Sequence, residues 1–310
     1  DGAGEYRTYT TLAGARTLTV EKDLPMAPAN GSAYTLTVSG LLGGRSGDDI
    51  SKERANAAKL AARVLYQIHK NGYDFRFDGF TAAGKKSGIA SEAQVTFVSS
   101  ASREQLSAVV DAVAKAVAEE YEFSDPDIVL SLQDGQAAAA GAKESLEAAE
   151  LLYLLPYGVF ARFLPLDGLP SFSANISQVQ LENGVLTITY SARSPFESYM
   201  GEAEAAVEIL CQRLDARIAG KRDYYGYRYL KDSPLRDTMD KVFLEQYGKP
   251  LNHVAAHGGN ECGAFKHMFP DMDIVTTGAI YAKHHTPEEY LDLESFDRSI
   301  AFLKAFLRAL

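Results

Sequence analysis

Between residues 34 and 132 the spacing of apolar residues switches repeatedly between a period of two and a period near 3.6. The order of those switches constrains the fold more than any other feature of the chain. Residues 34–39 alternate, with Leu36 and Val38 between threonines, as a half-buried strand requires. After a glycine-rich turn at 40–47, residues 50–71 place Ala57, Leu60, Ala61, Val64, Leu65 and Ile68 on one helical face. Asn71-Gly72 closes that helix, because both residues tolerate the left-handed cap conformation. Strand patterns follow at 74–80 and 93–98. Ser102 and Gln105 form a capping box ahead of a helix that buries Leu106, Val109, Val110, Val113 and Val117, and 127–132 reads as the next strand. Strand, helix, strand, strand, helix, strand is the ferredoxin-like order, in which helices cover one sheet face and leave the other bare.

A second α+β unit is expected at 141–232. Residues 145–155 read as a helix ended by Pro156. Segments 172–181 and 185–191 read as a hairpin around Glu182-Asn183-Gly184, 201–218 as a helix closed by Gly220, and 222–229 as a strand. Beyond Asp232 the character changes. Ser233-Pro234 opens a helix as cap and first-turn proline. Strands at 251–256 and 273–276 flank a short helix near 261–268, and a last helix buries Phe296, Ile300, Leu303, Phe306, Leu307 and Leu310. Two or three strands in about 80 residues make a poor independent core. Segment 233–310 therefore reads as part of a domain whose remainder precedes Asp1, and the fold class as α/β together with α+β.

The net charge of −10 argues against a nucleic-acid partner. The two cysteines, Cys211 and Cys262, stand far apart in no CxxC pattern, which points to reduced thiols and a cytoplasmic setting. No apolar run approaches the roughly 18 residues of a membrane span, and no signal peptide is visible. The first residue is Asp1 rather than Met, so the natural N-terminus is expected upstream.

Six segments, in order along nearly the whole chain, carry a resemblance. They are SGLLGGRSGDDISKERANAAKL at 39–60, FSAN at 172–175, SARS at 191–194, YGY at 225–227, HGGNECGAF at 257–265 and GAIYAKHHTPEE at 278–289. Together they resemble the aminoacyl-histidine dipeptidase (Xaa-His dipeptidase, peptidase D) family of two-zinc metallopeptidases. The resemblance implies a catalytic domain interrupted by a ferredoxin-like lid. Residues 1–30 would be the edge of the catalytic domain. Residues 31–232 would form the lid and dimerisation domain, with units at 31–140 and 141–232, and 233–310 the C-terminal part of the catalytic domain.

The same resemblance implies peptide-bond hydrolysis of small peptides by two zinc ions per full-length protein. The metals activate water and polarise the scissile carbonyl. His285 matches a zinc ligand, with His284 its competitor; the other ligands and the general base would lie before Asp1. This chain alone is therefore expected to bind zinc weakly or not at all and to be inactive. Arg193 matches a lid arginine that would grip the substrate carboxylate with two hydrogen bonds. Asn175 matches a lid amide donor to substrate, and Glu261 a partner for the substrate's amino group. The alternatives are a strand-end arginine, a solvent-facing strand residue and a helix N-terminal acid. His257 reads as a structural histidine. Arg45 stands where the family has a histidine that donates to the developing oxyanion. Arginine is permanently charged, and Ser87 and Ala90 also depart from the family's turn. The alternative function is a non-catalytic homologue that binds small molecules or peptides, or serves in assembly. A homodimer through the open sheet edge of the lid is also expected.

Overall fold

The computed structural model describes residues 4–84, 88–136, 140–164, 168–283 and 287–310. Its strands are β1 (Arg7–Leu12), β2 (Gly14–Asp23), β3 (Ser32–Ser39), β4 (Arg76–Ala83), β5 (Glu92–Ser99), β6 (Val129–Asp134), β7 (Gly158–Phe163), β8 (Leu169–Glu182), β9 (Val185–Ser194), β10 (Arg217–Tyr224) and β11 (Asn252–Ala256), besides two- and three-residue pieces. The helices are α1 (Ala57–Lys70), α2 (Arg103–Glu120), α3 (Ser145–Leu154), α4 (Glu197–Arg213), α5 (Pro234–Tyr247), α6 (Cys262–Met268) and α7 (Leu293–Ala309).

Strands β10-β2-β9-β8-β4-β5-β3-β6 lie side by side in a nine-stranded sheet, with β7 attached to β8. The half built by β3, α1, β4, β5, α2 and β6 has its strands in the order β4-β5-β3-β6, all neighbours antiparallel, which is the expected ferredoxin-like unit. Helix α1 starts where the Asn56 side chain accepts from the backbone N–H groups of Ala58 and Lys59, and α2 starts at the capping box of Ser102 and Gln105.

The other half corrects the expected boundaries. Its strands run β10-β2-β9-β8, the same arrangement, but the first strand of this unit is β2, from residues expected at the edge of the catalytic domain. In chain order it is β2, α3, β8, β9, α4, β10, with the first unit inserted between β2 and α3. The two units are therefore nested, and β8 joins β4 through Gln178–Gln180 opposite Thr81–Ala83 to make one continuous sheet. The core-facing row of β2 hides its strand character, because Leu18 and Val20 are flanked there by Arg16 and Lys22. Those charges hold α4 at both ends. Arg16 binds Glu197, Glu204 and Asp223 at 2.5, 3.0 and 2.8 Å. Lys22 Nζ donates to the carbonyls of Leu214 and Asp215 at 2.6 and 3.4 Å, beyond the helix's last turn.

The helix expected at 201–218 stops sooner. Asp215 takes a left-handed conformation (φ 51°), and Ile218 and Gly220 belong to β10, paired with β2. All four helices α1 to α4 lie on one face of the sheet. They share one core that includes Leu36, Val95, Phe97, Leu65, Val110, Leu151, Ile188, Tyr190 and Val207.

At Ala13 the chain crosses between two layers. Strand β1 pairs in parallel with β11 in the C-terminal segment, while β2 enters the large sheet. The chain returns beside the same point, where Leu12 and Tyr227 exchange backbone hydrogen bonds of 3.0 and 2.9 Å. Of the strand expected at 273–276, only a bridge between Thr276 and Tyr9 forms. The C-terminal core is small: Met239, Val242, Phe243, Leu251, Phe302 and Phe306 between α5 and α7. Within α7, Phe302 and Phe306 are buried, whereas Phe296, Leu303, Leu307 and Leu310, expected inside, are exposed. The parallel pair β1 and β11 has too few layers around it to cover them.

Candidate functional site

The helix-free face of the large sheet is built by alternation. In β9, Leu186, Ile188, Tyr190 and Ala192 point into the core, which leaves Thr187, Thr189, Ser191 and Arg193 on the other face. Thr17 on β2 pairs with both Ser191 and Arg222, and Ala15 pairs with both Arg193 and Tyr224, so these rows continue across three strands. The result is a hydroxyl-lined floor with arginines on it. It forms one wall of an open cleft of about 1220 Å³, lined also by Arg45, Ser46, Gly47, Asp48, Gly258 and Gly259.

The turn carrying Arg45 is held tightly. Gly44 sits at φ 129°, and a Cβ there would come within 2.5 Å of the Asp49 carboxylate. Asp49 Oδ2 accepts from the Arg45 backbone N–H at 2.8 Å, and Lys52 Nζ donates to its other oxygen at 2.7 Å. Burial works to raise the Asp49 carboxyl. The bonds from Lys52 and the Arg45 backbone outweigh it, and the group lies below the usual carboxylate range. The Arg45 guanidinium is half exposed, 3.9 Å from Asp48.

Arg193 meets this turn. Its Nε donates to Ser46 Oγ at 3.1 Å. Burial pulls its guanidinium below the ordinary arginine value, with Asp48 acting in the opposite sense. No carboxylate lies within ion-pair distance of Arg193 among the described residues. A half-buried cation without an acid beside it has lost hydration that an incoming anion can replace.

His257 directly precedes the cleft-lining Gly258 and Gly259. Its Nε2 lies 2.6 Å from Ser173 Oγ, a bond between the C-terminal segment and β8. Burial lowers its pKa from 6.5 to about 4, the Arg193 charge adds to the shift, and the Pro170 carbonyl opposes it. Its Nδ1 is buried without a partner at hydrogen-bond geometry, so the ring stays neutral near pH 7. The structural reading of this residue fits that environment. The glycines of segment 257–265 allow close approach: a Cβ on Gly263 would stand 1.9 Å from the Tyr225 carbonyl oxygen.

Arg45 and Arg193 thus share one cleft, while Asn175 parts from them. Asn175 does not line it. Its side chain is buried, Nδ2 donates to the Gly88 carbonyl at 2.9 Å, and Oδ1 accepts from Asn56 Nδ2 at 3.4 Å. Gly88 pairs with Arg45, so Asn175 braces the Arg45 turn instead of presenting its amide to a ligand. Glu261 is exposed just before α6, makes no capping bond, and helps to raise the Tyr224 hydroxyl, after burial. His284, His285 and Ser87 lie outside the described residues. Sequence reasoning missed Ser46, which orients Arg193, and Arg222, which lines the same cleft. The alternation of 187–193 could have marked the polar face; nothing local ties Arg222 to it.

Among the described residues, no group of three or more His, Cys, Asp or Glu side chains converges as a metal site, so they do not by themselves fit a zinc pair. No described helix is long and apolar enough to cross a membrane.

No protein-family model matches the chain. It is similar to the cytosol non-specific dipeptidase of Escherichia coli (strain K12), with 26% identity over 313 residues, covering 99% of this chain and 64% of that protein. A shorter stretch of 109 residues, 35% of this chain and 30% of the relative, is 29% identical to LysW-lysine hydrolase of Deinococcus radiodurans. Among solved structures, aminoacylhistidine dipeptidase from Vibrio alginolyticus matches with a TM-score of 0.90 and 25% identity, over 100% of this chain and 64% of that one. The chain therefore spans a little under two thirds of the length of these two dipeptidases. The resemblance read from the six motifs holds along the whole chain, as does the mixed α/β fold it implied.

Proposed function

We propose that this homologue of the aminoacyl-histidine dipeptidases supplies the lid and C-terminal flank of a zinc-dependent dipeptidase-like hydrolase, and that Arg193 holds the free carboxylate of a small peptide. The observation that carries this reading is the Arg193 guanidinium, oriented by Ser46, lacking a carboxylate partner among the described residues, and opening on a cleft with a hydroxyl floor. A planar guanidinium grips a carboxylate through two parallel hydrogen bonds. Arg45, on the turn that Arg193 meets through Ser46, lines the same cleft and would donate to the scissile carbonyl as negative charge develops on it. Asn175 and the Asp49 cluster keep that donor in place, and neutral His257 ties the C-terminal segment to the sheet beneath it.

Zinc, when bound, would supply an activated water and polarise the carbonyl. His285 is the ligand this chain would contribute, with the remaining ligands and the general base coming from outside it. This chain alone is then inactive, whereas the longer protein hydrolyses dipeptides and loses activity to a chelator. Both cysteines are free thiols, and the E. coli relative is named as cytosolic, in keeping with a cytoplasmic setting. Strands β6 and β10 leave the sheet's two edges open, where a second copy would pair.

Calorimetric titration with alanyl-alanine and alanyl-alaninamide tests the carboxylate site. The free acid should bind about ten-fold tighter, a charged hydrogen-bonded pair being worth roughly 1.5–3 kcal/mol. Arg193→Gln should erase the difference, and equal binding of the two peptides by the native chain overturns the reading. The arginine at position 45 favours a second reading, a homologue that binds peptides without cleaving them. Failure of the longer, zinc-loaded protein to turn over any dipeptide would select it.

A further inference from the structure

The cleft carries more positive charge than one substrate carboxylate needs. Arg45, Arg193 and Arg222 all line it, in a chain of net charge −10. Two carboxylates also line it, but the Asp223 side chain is engaged by Arg16 at 2.8 and 3.1 Å, and Asp48 stands beside Arg45. Among the described residues, Arg222 makes no ion pair and no side-chain hydrogen bond. It is not a stray surface charge on an arbitrary strand. Through Thr17 it shares a row with Ser191, two residues from the row that joins Arg193, Ala15 and Tyr224, so both guanidiniums rise from the same helix-free face. Two strand spacings and two residues put their Cα atoms roughly 12 Å apart. Two flexible side chains reaching inward across that span match the separation of two carboxylates in one dipeptide.

We propose that the ligand of this cleft carries a second negative group, and that Arg222 is the residue that selects for it. The substrate class is then acidic dipeptides, with one carboxylate on Arg193 and the other on the Arg222 side. This rests on the Arg193 reading above and narrows it. Arg222 is exposed, so the selectivity should weaken as salt rises.

The test is equilibrium binding to the whole chain at low ionic strength with pairs that differ by one charge and almost no volume. The pairs are aspartyl-alanine against asparaginyl-alanine, and alanyl-aspartate against alanyl-asparagine. At least one acidic peptide should bind about ten-fold tighter than its amide. Arg222→Gln should remove that preference while leaving the affinity for the amide peptides unchanged. Equal binding within both pairs overturns the proposal and leaves the Arg193 site standing. A preference that survives in Arg222→Gln also overturns it. Absence of binding by all four peptides overturns both readings together.

Discussion

The large sheet and the C-terminal segment belong to one chain, yet they solve burial differently. The sheet carries four helices on one face, and almost every apolar residue between them is inaccessible. The C-terminal segment buries six large apolar side chains between two helices and leaves Phe265, Met268, Phe269, Leu293, Phe296, Leu307 and Leu310 exposed. The difference teaches that number of layers, not apolar content, decides whether a segment can hold itself closed. The cleft lies where the two meet. Its floor belongs to the sheet, and its far wall, Gly258 and Gly259, to the less well-packed segment.

That contrast can be broken or sharpened by experiment. Phe97→Ala, at a fully buried ring in the sheet's core, should cost about 3–5 kcal/mol in urea unfolding. A cost under 1 kcal/mol would mean that the sheet is not the better-packed body. Acid should act next most strongly, through His257. Its folded pKa lies below its unfolded value, so the unfolded chain takes up a proton first as pH falls. The stability contributed by keeping the ring neutral is intact above pH 6.5 and is lost between about 6.5 and 4, by about 3 kcal/mol in total. Denaturation midpoints measured across that window should fall steeply in the native chain and less steeply in His257→Gln. Asn56→Ala removes the cap of α1 and a 2.7 Å bond to the Ile176 carbonyl, and should cost about 1–2 kcal/mol. The smallest effect belongs to Leu307→Gln, at an exposed site of α7, which should change stability by less than about 0.5 kcal/mol. Hydrogen exchange should show the amides of α5 and α7 exchanging ahead of those in β5 and β9.

The residues of the cleft divide in the same way between what could and could not be read in advance. Arg45 and Arg193 are legible through the motifs that contain them, and both line the cleft. Asn175 was placed in a motif too, but whether its amide turned to the cleft or to Gly88 depended on a turn far away in sequence. Arg222 carried no signal, because nothing near it in the chain resembles a site.

Residues 34–132 determined their own ferredoxin-like unit, since the spacing of apolar side chains and the capping box at Ser102 are local properties that decide which face turns inward. The hydroxyl face of 187–193 was likewise latent in its alternation. Only the tertiary structure decided that Gly14–Asp23 is the first strand of the second unit, that the two units are nested, and that Arg222 stands on the same face as Arg193. Strand neighbours are chosen by backbone hydrogen bonds between distant segments. Such pairing leaves no periodicity in the sequence, least of all where, as in β2, charged residues occupy the core-facing row to hold the ends of a helix.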